Sequence, residues 1–206
     1  IDEAHCISEW GHDFRPDYLR LGKARAALGY PQCVAFTATA TPVVREDIVK
    51  VLDLKEPFKI VTGFARANLS FNISAVDTKA AKFRRTREVL GEHRTGIVYC
   101  ATRKRVEEVA ETLNSWGVKC IGYHGGMTEE EREDMQNRFI RREVDVAVAT
   151  NAFGMGIDRS DVRFVVHFEV PGSVEAYYQE AGRAGRDGEA AHCELLWNYA
   201  DTRTQE

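Results

Sequence analysis

Short apolar runs rich in β-branched residues alternate with stretches of helical period along almost the whole chain. Runs at 33–37, 59–62, 69–76, 96–100, 119–123, 144–149, 163–168 and 192–197 read as strands. Apolar residues at three- and four-residue spacing over 17–28, 42–52, 80–93, 103–116, 129–141 and 174–181 predict helices. Strand runs of this kind, separated by helices of about ten or more residues, imply βαβ units and parallel sheets flanked by helices, an α/β fold. Two helix starts carry their own signals. Thr128-Glu129-Glu130-Glu131 is a capping box, and Thr41-Pro42 puts proline where its missing N–H costs nothing. The stretch 54–63 breaks the rhythm, which predicts a boundary near residue 65 and domains at 1–65 and 66–206.

The 206 residues are 44% hydrophobic and 29% charged, with 16 Gly and 5 Pro, which excludes a disordered or collagen-like chain. With 28 basic against 32 acidic residues the net charge is -4, so any nucleic-acid contact requires a local basic surface. Cys6, Cys33, Cys100, Cys120 and Cys193 form no C-x-x-C pair, and a reduced intracellular setting is expected. No apolar run approaches the roughly 20 residues of a membrane span. The chain opens on Ile1-Asp2-Glu3 rather than Met, and we expect it to begin inside a longer one.

Asp2 and Glu3 are adjacent carboxylates at a predicted strand end. One can hold a hydrated Mg²⁺ while the other orients and deprotonates a water attacking a γ-phosphate; a solvated acidic pair is the alternative. After them comes an aromatic and basic loop, Cys6-Ile7-Ser8-Glu9-Trp10-Gly11-His12-Asp13-Phe14-Arg15-Pro16, suited to stacking on unpaired bases or to plugging a core. Thr102 is a natural N-cap followed by Arg103, Lys104 and Arg105, cations at the positive end of a helix, an arrangement that invites an anion. Gly154 and Gly156 let backbone amides approach a phosphate, although a tight core turn uses the same residues. Arg183 and Arg186 are three apart and would share a face if a helical turn persists, offering paired guanidinium forks to a phosphoryl group.

DEAH followed by CISEWGHDFRP resembles the Walker B box and aromatic-rich loop of RecQ-family DNA helicases. Later blocks agree in order: Thr37-Ala38-Thr39, the segment from Thr102, Tyr123-His124-Gly125-Gly126, ATNAFGMGID and QEAGRAGRDG. The resemblance implies a RecA-like P-loop NTPase helicase core, with a partial first lobe and a complete second lobe, using ATP and Mg²⁺. It assigns Asp2 to the metal, Glu3 to the base, and Arg186 with its companion Arg183 to the arginine finger. His5, Gln179, Gly154, Gly156 and Asp158 are assigned to the nucleotide, Asp158 reaching either ribose or an arginine. Trp10, His12, Phe14, Arg15, Thr37, Thr39, Thr102, Arg103, Lys104, His124 and Thr150 are assigned to DNA binding and coupling.

The function so implied is three-prime to five-prime translocation on single-stranded and forked DNA in repair or recombination, in the cytoplasm or nucleus. An RNA helicase of the same motor class is the first alternative. No G-x-x-x-x-G-K-[ST] occurs in the 206 residues, so the second is a nucleic-acid-binding lobe inactive by itself. Residues 1–65, without the strands that precede this box in the family, are expected to be the looser part.

Overall fold

The computed structural model describes residues 1–11, 13–63, 65–153, 157–199 and 201. The chain divides into two compact units, Ile1–Phe64 and Ala65–Glu206.

The second unit is built on six parallel strands, β1 (Leu69–Ala75), β2 (Gly96–Tyr99), β3 (Cys120–Tyr123), β4 (Val146–Ala149), β5 (Phe164–His167) and β6 (Ala191–Trp197). Their spatial order is β1-β6-β5-β2-β4-β3, and every pairing is parallel. The four strands β2 to β5 are only four residues long, and β2, β4 and β5 are buried throughout. Alternation along them sorts side chains to two faces. Ile97, Tyr99, Ala147, Ala149 and Val165 join one apolar cluster, while Val98, Val146, Val148, Phe164 and Val166 join another.

Helices cover both faces. Val89 of α3 (Lys79–Glu92) and Val106, Val109 and Leu113 of α4 (Arg103–Ser115) complete the second cluster. Phe139 of α5 (Glu129–Ile140) and Ala181 of α6 (Val174–Ala181) complete the first. The predicted starts are seen: Thr128 accepts from Glu131 N while Glu131 Oε2 accepts from Thr128 N at 2.8 Å, closing the capping box.

The first unit holds 3-10 turns at Ala4–Ile7 and Pro16–Arg20 and the helices α1 (Leu21–Ala27) and α2 (Pro42–Val51). Thr41 caps α2 with Pro42 behind it, and Ala4, Ile7, Val44, Ile48 and Leu52 form one small cluster. Three expectations fail here. The predicted helix over 17–28 is split, its first turn a 3-10 turn led by Pro16, whose fixed φ and missing N–H suit a tight start. Residues 33–37 are not a strand: among the described residues their backbone pairing is Ile1 N to Val34 O at 2.7 Å, Phe36 N to Ile1 O at 2.8 Å and Ala4 N to Phe36 O at 2.9 Å. That alternation is the parallel pattern, but it stops after one residue. Residues 59–62 are also not a strand, and Phe58, Ile60 and Val61 are exposed. A β-branched run without a partner strand stays irregular, because propensity alone does not satisfy its backbone.

Candidate functional site

Glu3 has φ 48°, in the left-handed region, and its N–H donates to Asp2 Oδ1 at 2.9 Å. A non-glycine residue there costs free energy, and such strain collects at functional positions. It is held by Cys6 N donating to Glu3 O at 2.9 Å, which turns the chain at once into the 3-10 turn carrying His5. His5 is buried, and its Nδ1 lies 2.9 Å from Thr37 Oγ1 and 3.3 Å from Glu3 Oε2. Thr37 Oγ1 in turn accepts from Thr39 N at 3.2 Å. Residues of two separate motifs, Glu3 and His5 of the first and Thr37 and Thr39 of the second, thus form one connected polar group.

Asp2 is exposed and offers a hard carboxylate oxygen, a donor that fits a hydrated Mg²⁺. Trp10 is 77% exposed, so it does not plug a core, whereas Phe14 is half-buried. Arg15 Nη2 donates to Asp13 Oδ2 at 2.6 Å, and the Cys6 thiol donates to the same oxygen at 3.7 Å. Burial, with Asp13 beside it, pushes that thiol up to about 11. Ser8 Oγ donates to Asp47 Oδ2 at 2.5 Å and accepts from Trp10 N at 3.2 Å, tying the loop base to α2. His12 lies outside the described residues, as do Gly154 and Gly156.

In the second unit the assigned residues gather where three adjacent parallel strands end. Thr102 and Arg103 follow β2, His124 follows β3 and Thr150 follows β4, on the sheet edge where α/β folds place ligands. Arg103 lies over Gly126: a Cβ there would stand 2.7 Å from Arg103 Nη1, so glycine is what admits the guanidinium. His124 Nδ1 accepts from Gly126 N at 3.2 Å, and its Nε2 is 3.5 Å from Glu107 Oε1, a shaping role for the turn. Thr150 is buried, its N–H on Tyr123 O at 3.1 Å.

The start of α4 departs from expectation. Its N-cap is Thr102, accepting from Arg105 N at 3.2 Å, but an anion is already present. Glu169 accepts from Ala101 N at 3.0 Å and from Arg105 Nε at 2.7 Å, and Arg105 also donates to Glu108 at 2.6 Å. A carboxylate beyond β5 relieves the conflict between cations and helix dipole, leaving Arg103 and Lys104 as the exposed cations.

Arg183 and Arg186 do not share a helical face. Helix α6 ends at Ala181, and Gly185 has φ 56° where a Cβ would meet Asn68 Nδ2 at 2.5 Å and Glu189 O at 2.7 Å. The segment continues as turns, with Arg183 N on Glu180 O at 3.2 Å and Ala184 N on Ala181 O at 3.0 Å. Arg186 Nη1 donates to Ile157 O at 2.8 Å and lies 3.7 Å from Oδ1 of the exposed Asp158. Arg183 neighbours Tyr99, whose hydroxyl burial drives upward in pKa while the cation opposes it, and which donates to Phe153 O at 2.9 Å. Gln179 is half-buried on α6.

Residues that sequence reasoning missed hold this loop. Arg66 donates to Gly185 O at 2.7 Å, Ala184 O at 3.1 Å and Gly182 O at 3.4 Å. Asn68 donates to Gly185 O and Glu189 O, each at 2.8 Å. Arg163 grips both oxygens of Asp187 at 2.6 Å, holding that carboxyl below its usual range. Behind α6, buried His167 Nε2 meets Glu180 Oε2 at 2.8 Å. Among the described residues no helix is long and apolar enough to cross a membrane, and all five cysteines are free.

Residues 81–188 match the helicase conserved C-terminal domain family. Over its full length the chain is 47% identical to the ATP-dependent DNA helicase RecQ of Bacillus subtilis, covering 35% of that protein. It is 45% identical to ATP-dependent DNA helicase Q5 of Rattus norvegicus, with 98% of this chain and 22% of that protein covered. Among solved structures it resembles Saccharomyces cerevisiae Dbp5 bound to RNA and ADP BeF3, with a TM-score of 0.73 at 22% identity, over 99% of this chain and 54% of the other. That likeness is one of fold, and it fits the parallel sheet flanked by helices. The chain thus spans about a third or less of these helicases' length, and it belongs to the helicase conserved C-terminal domain family, in its RecQ-like branch.

Proposed function

We propose that this chain is the part of an ATP-dependent DNA helicase that grips single-stranded DNA and supplies the arginines of the hydrolysis step, with three-prime to five-prime translocation on single-stranded or forked DNA as the parent activity. The observation that carries the reading is the convergence of Thr102, Arg103, Lys104, His124 and Thr150 at the ends of β2, β3 and β4, with Arg103 seated over Gly126. A cationic edge of this kind holds a phosphate backbone without reading sequence. Exposed Trp10, on the loop that also carries Arg15, supplies a face on which a base can stack. The names of the relatives favour DNA over RNA.

In the first unit Asp2 would hold a hydrated Mg²⁺, which would supply charge neutralisation on the ATP phosphates, and Glu3 would orient and deprotonate the attacking water. His5, contacting both Glu3 and Thr37, couples that base to the Thr37-Ala38-Thr39 segment. Arg186, with Arg183, serves as the arginine finger, and the Arg66 and Asn68 clamp pre-sets the loop that bears them. Gln179 and Asp158 belong to the nucleotide side of this proposal.

The test is binding of fluorescently labelled single-stranded DNA by the 206-residue chain over a salt series, beside the RNA of the same sequence. DNA is expected to bind more tightly than RNA. Arg103→Ala is expected to weaken binding and to reduce the slope against log salt by about one. Mg²⁺-dependent ATP turnover is expected to be absent from this chain with or without DNA. Tighter RNA binding would favour the RNA-motor alternative, and an unaltered Arg103→Ala would remove the proposed interface.

A further inference from the structure

At the root of the aromatic loop, three residues of different chemistry point at one another. Cys6 Sγ lies 3.7 Å from His5 Nε2 and 3.7 Å from Asp13 Oδ2. One donor atom from each of the three lies within 4.8 Å of the other two. With Zn–S near 2.3 Å and Zn–N or Zn–O about 2.0–2.1 Å, a tetrahedral ion holds sulfur about 3.6 Å from its nitrogen and oxygen neighbours. The two separations of 3.7 Å match that spacing before any ion enters.

The histidine is also oriented as metal-binding histidines are. Its Nδ1 faces Thr37 Oγ1 at 2.9 Å and Glu3 Oε2 at 3.3 Å, so hydroxyl and carboxylate orient the ring with Nε2 toward Cys6 Sγ. His5 and Cys6 are buried and Asp13 is exposed, so the cluster reaches solvent on the Asp13 side. A thiol and an imidazole select a borderline or soft ion, not the hard Mg²⁺ suited to Asp2.

We propose that His5, Cys6 and Asp13 form a site for a thiolate-seeking divalent cation of the Zn²⁺ class. The site clamps Asp13, which lies between Trp10 and Phe14 on the aromatic loop, to the turn that carries Glu3 and His5. Binding exchanges the thiol proton for the ion and changes no oxidation state. One local group competes: Arg15 Nη2 holds Asp13 Oδ2 at 2.6 Å and must shift to the other oxygen or release it. Removing that cation therefore strengthens the site, an effect that scattered surface binding does not produce. The proposal stands on these side chains and does not depend on the DNA reading.

The experiment titrates the reduced 206-residue chain with Co²⁺ as the visible probe and then adds Zn²⁺. A stoichiometric, tetrahedral cobalt spectrum with a thiolate charge-transfer band, displaced by Zn²⁺, is expected. The band should vanish in Cys6→Ser, weaken in Asp13→Asn and persist in Cys33→Ser. Arg15→Gln should lower the Co²⁺ dissociation constant several-fold. Because Asp13 is exposed, its variant keeps the test valid even where Cys6→Ser disturbs the fold. A band that survives in both Cys6→Ser and Asp13→Asn, or the absence of any band at saturating Co²⁺, would overturn the site.

Discussion

In Ala65–Glu206 two apolar clusters sandwich a six-stranded parallel sheet, whereas in Ile1–Phe64 one small cluster around Val44, Ile48 and Leu52 holds short helices and turns together. The difference decides how each region positions its functional side chains. In the second unit they stand at the ends of strands fixed by ladder hydrogen bonds and burial on both faces. In the first, Glu3, His5, Thr37 and Thr39 depend on one another's hydrogen bonds, and among the described residues the 33–37 segment pairs in the parallel manner only around Ile1. A motif can therefore be equally explicit in both regions while the scaffold beneath it differs.

The sharpest way to break this comparison is to damage the larger core. Phe164 is fully buried on β5, with its ring against Gly96, and Phe164→Ala should cost about 3–5 kcal/mol in urea unfolding. Amide exchange in the parent chain should be slower across 96–197 than across 1–64, and the variant should erase most of that gap. A loss below about 1 kcal/mol, or equal protection in the two units at the outset, would mean the sheet is not the dominant stabilising element.

A smaller effect is expected at the arginine loop. Arg66→Ala removes charge-assisted bonds to the carbonyls of Gly182, Ala184 and Gly185, and should cost about 1.5–3 kcal/mol. Exchange at the Gly185 and Gly188 amides should quicken while β2 and β4 keep their protection. Unchanged exchange at those glycines would show that Arg163 and Asp187 hold the loop without it.

Acid gives a graded version of the same contrast. Burial works to raise the pKa of Glu194, but bonds from Arg85 at 2.9 Å, Ser74 at 2.5 Å and His192 at 2.7 Å outweigh it, and the carboxyl is held below its usual 4.5. Asp161 is likewise held low, its bonds to Arg159 overcoming burial. A depressed folded pKa contributes stability that is present above the unfolded value and lost as pH falls through the folded one. Urea midpoints of the second unit should hold steady from neutral pH to about 5 and decline below about 4.5. Glu194→Gln should flatten the decline, and a midpoint that rises on acidification would contradict the assignment.

Much of this architecture was legible because the second unit is regular. Buried strands such as 96–99, 146–149 and 164–167 announce themselves as unbroken apolar runs, and Thr41, Thr102 and Thr128 cap the helices that their sequences predict. The runs at 33–37 and 59–62 carry the same local signal, but a strand also needs neighbours, which composition does not reveal. Arg66 and Asn68 went unread for a related reason: their partners lie more than a hundred residues away. Glu169 was missed because its partners Ala101 and Arg105 follow a different strand; α6 ends at Ala181 as its pattern predicts, so no helical turn persists to bring Arg183 and Arg186 onto one face.

The claim that most needs testing is that the cationic sheet edge is the nucleic-acid interface. The direct measurement is residue-resolved amide spectroscopy of the chain titrated with single-stranded DNA. The account predicts perturbation at Thr102–Lys104, His124–Gly126 and Thr150, with Arg94, Gly117 and Asp145 near the opposite ends of the strands unaffected. Perturbation centred on Arg94, Gly117 and Asp145, with Arg103 and Gly126 silent, would contradict it.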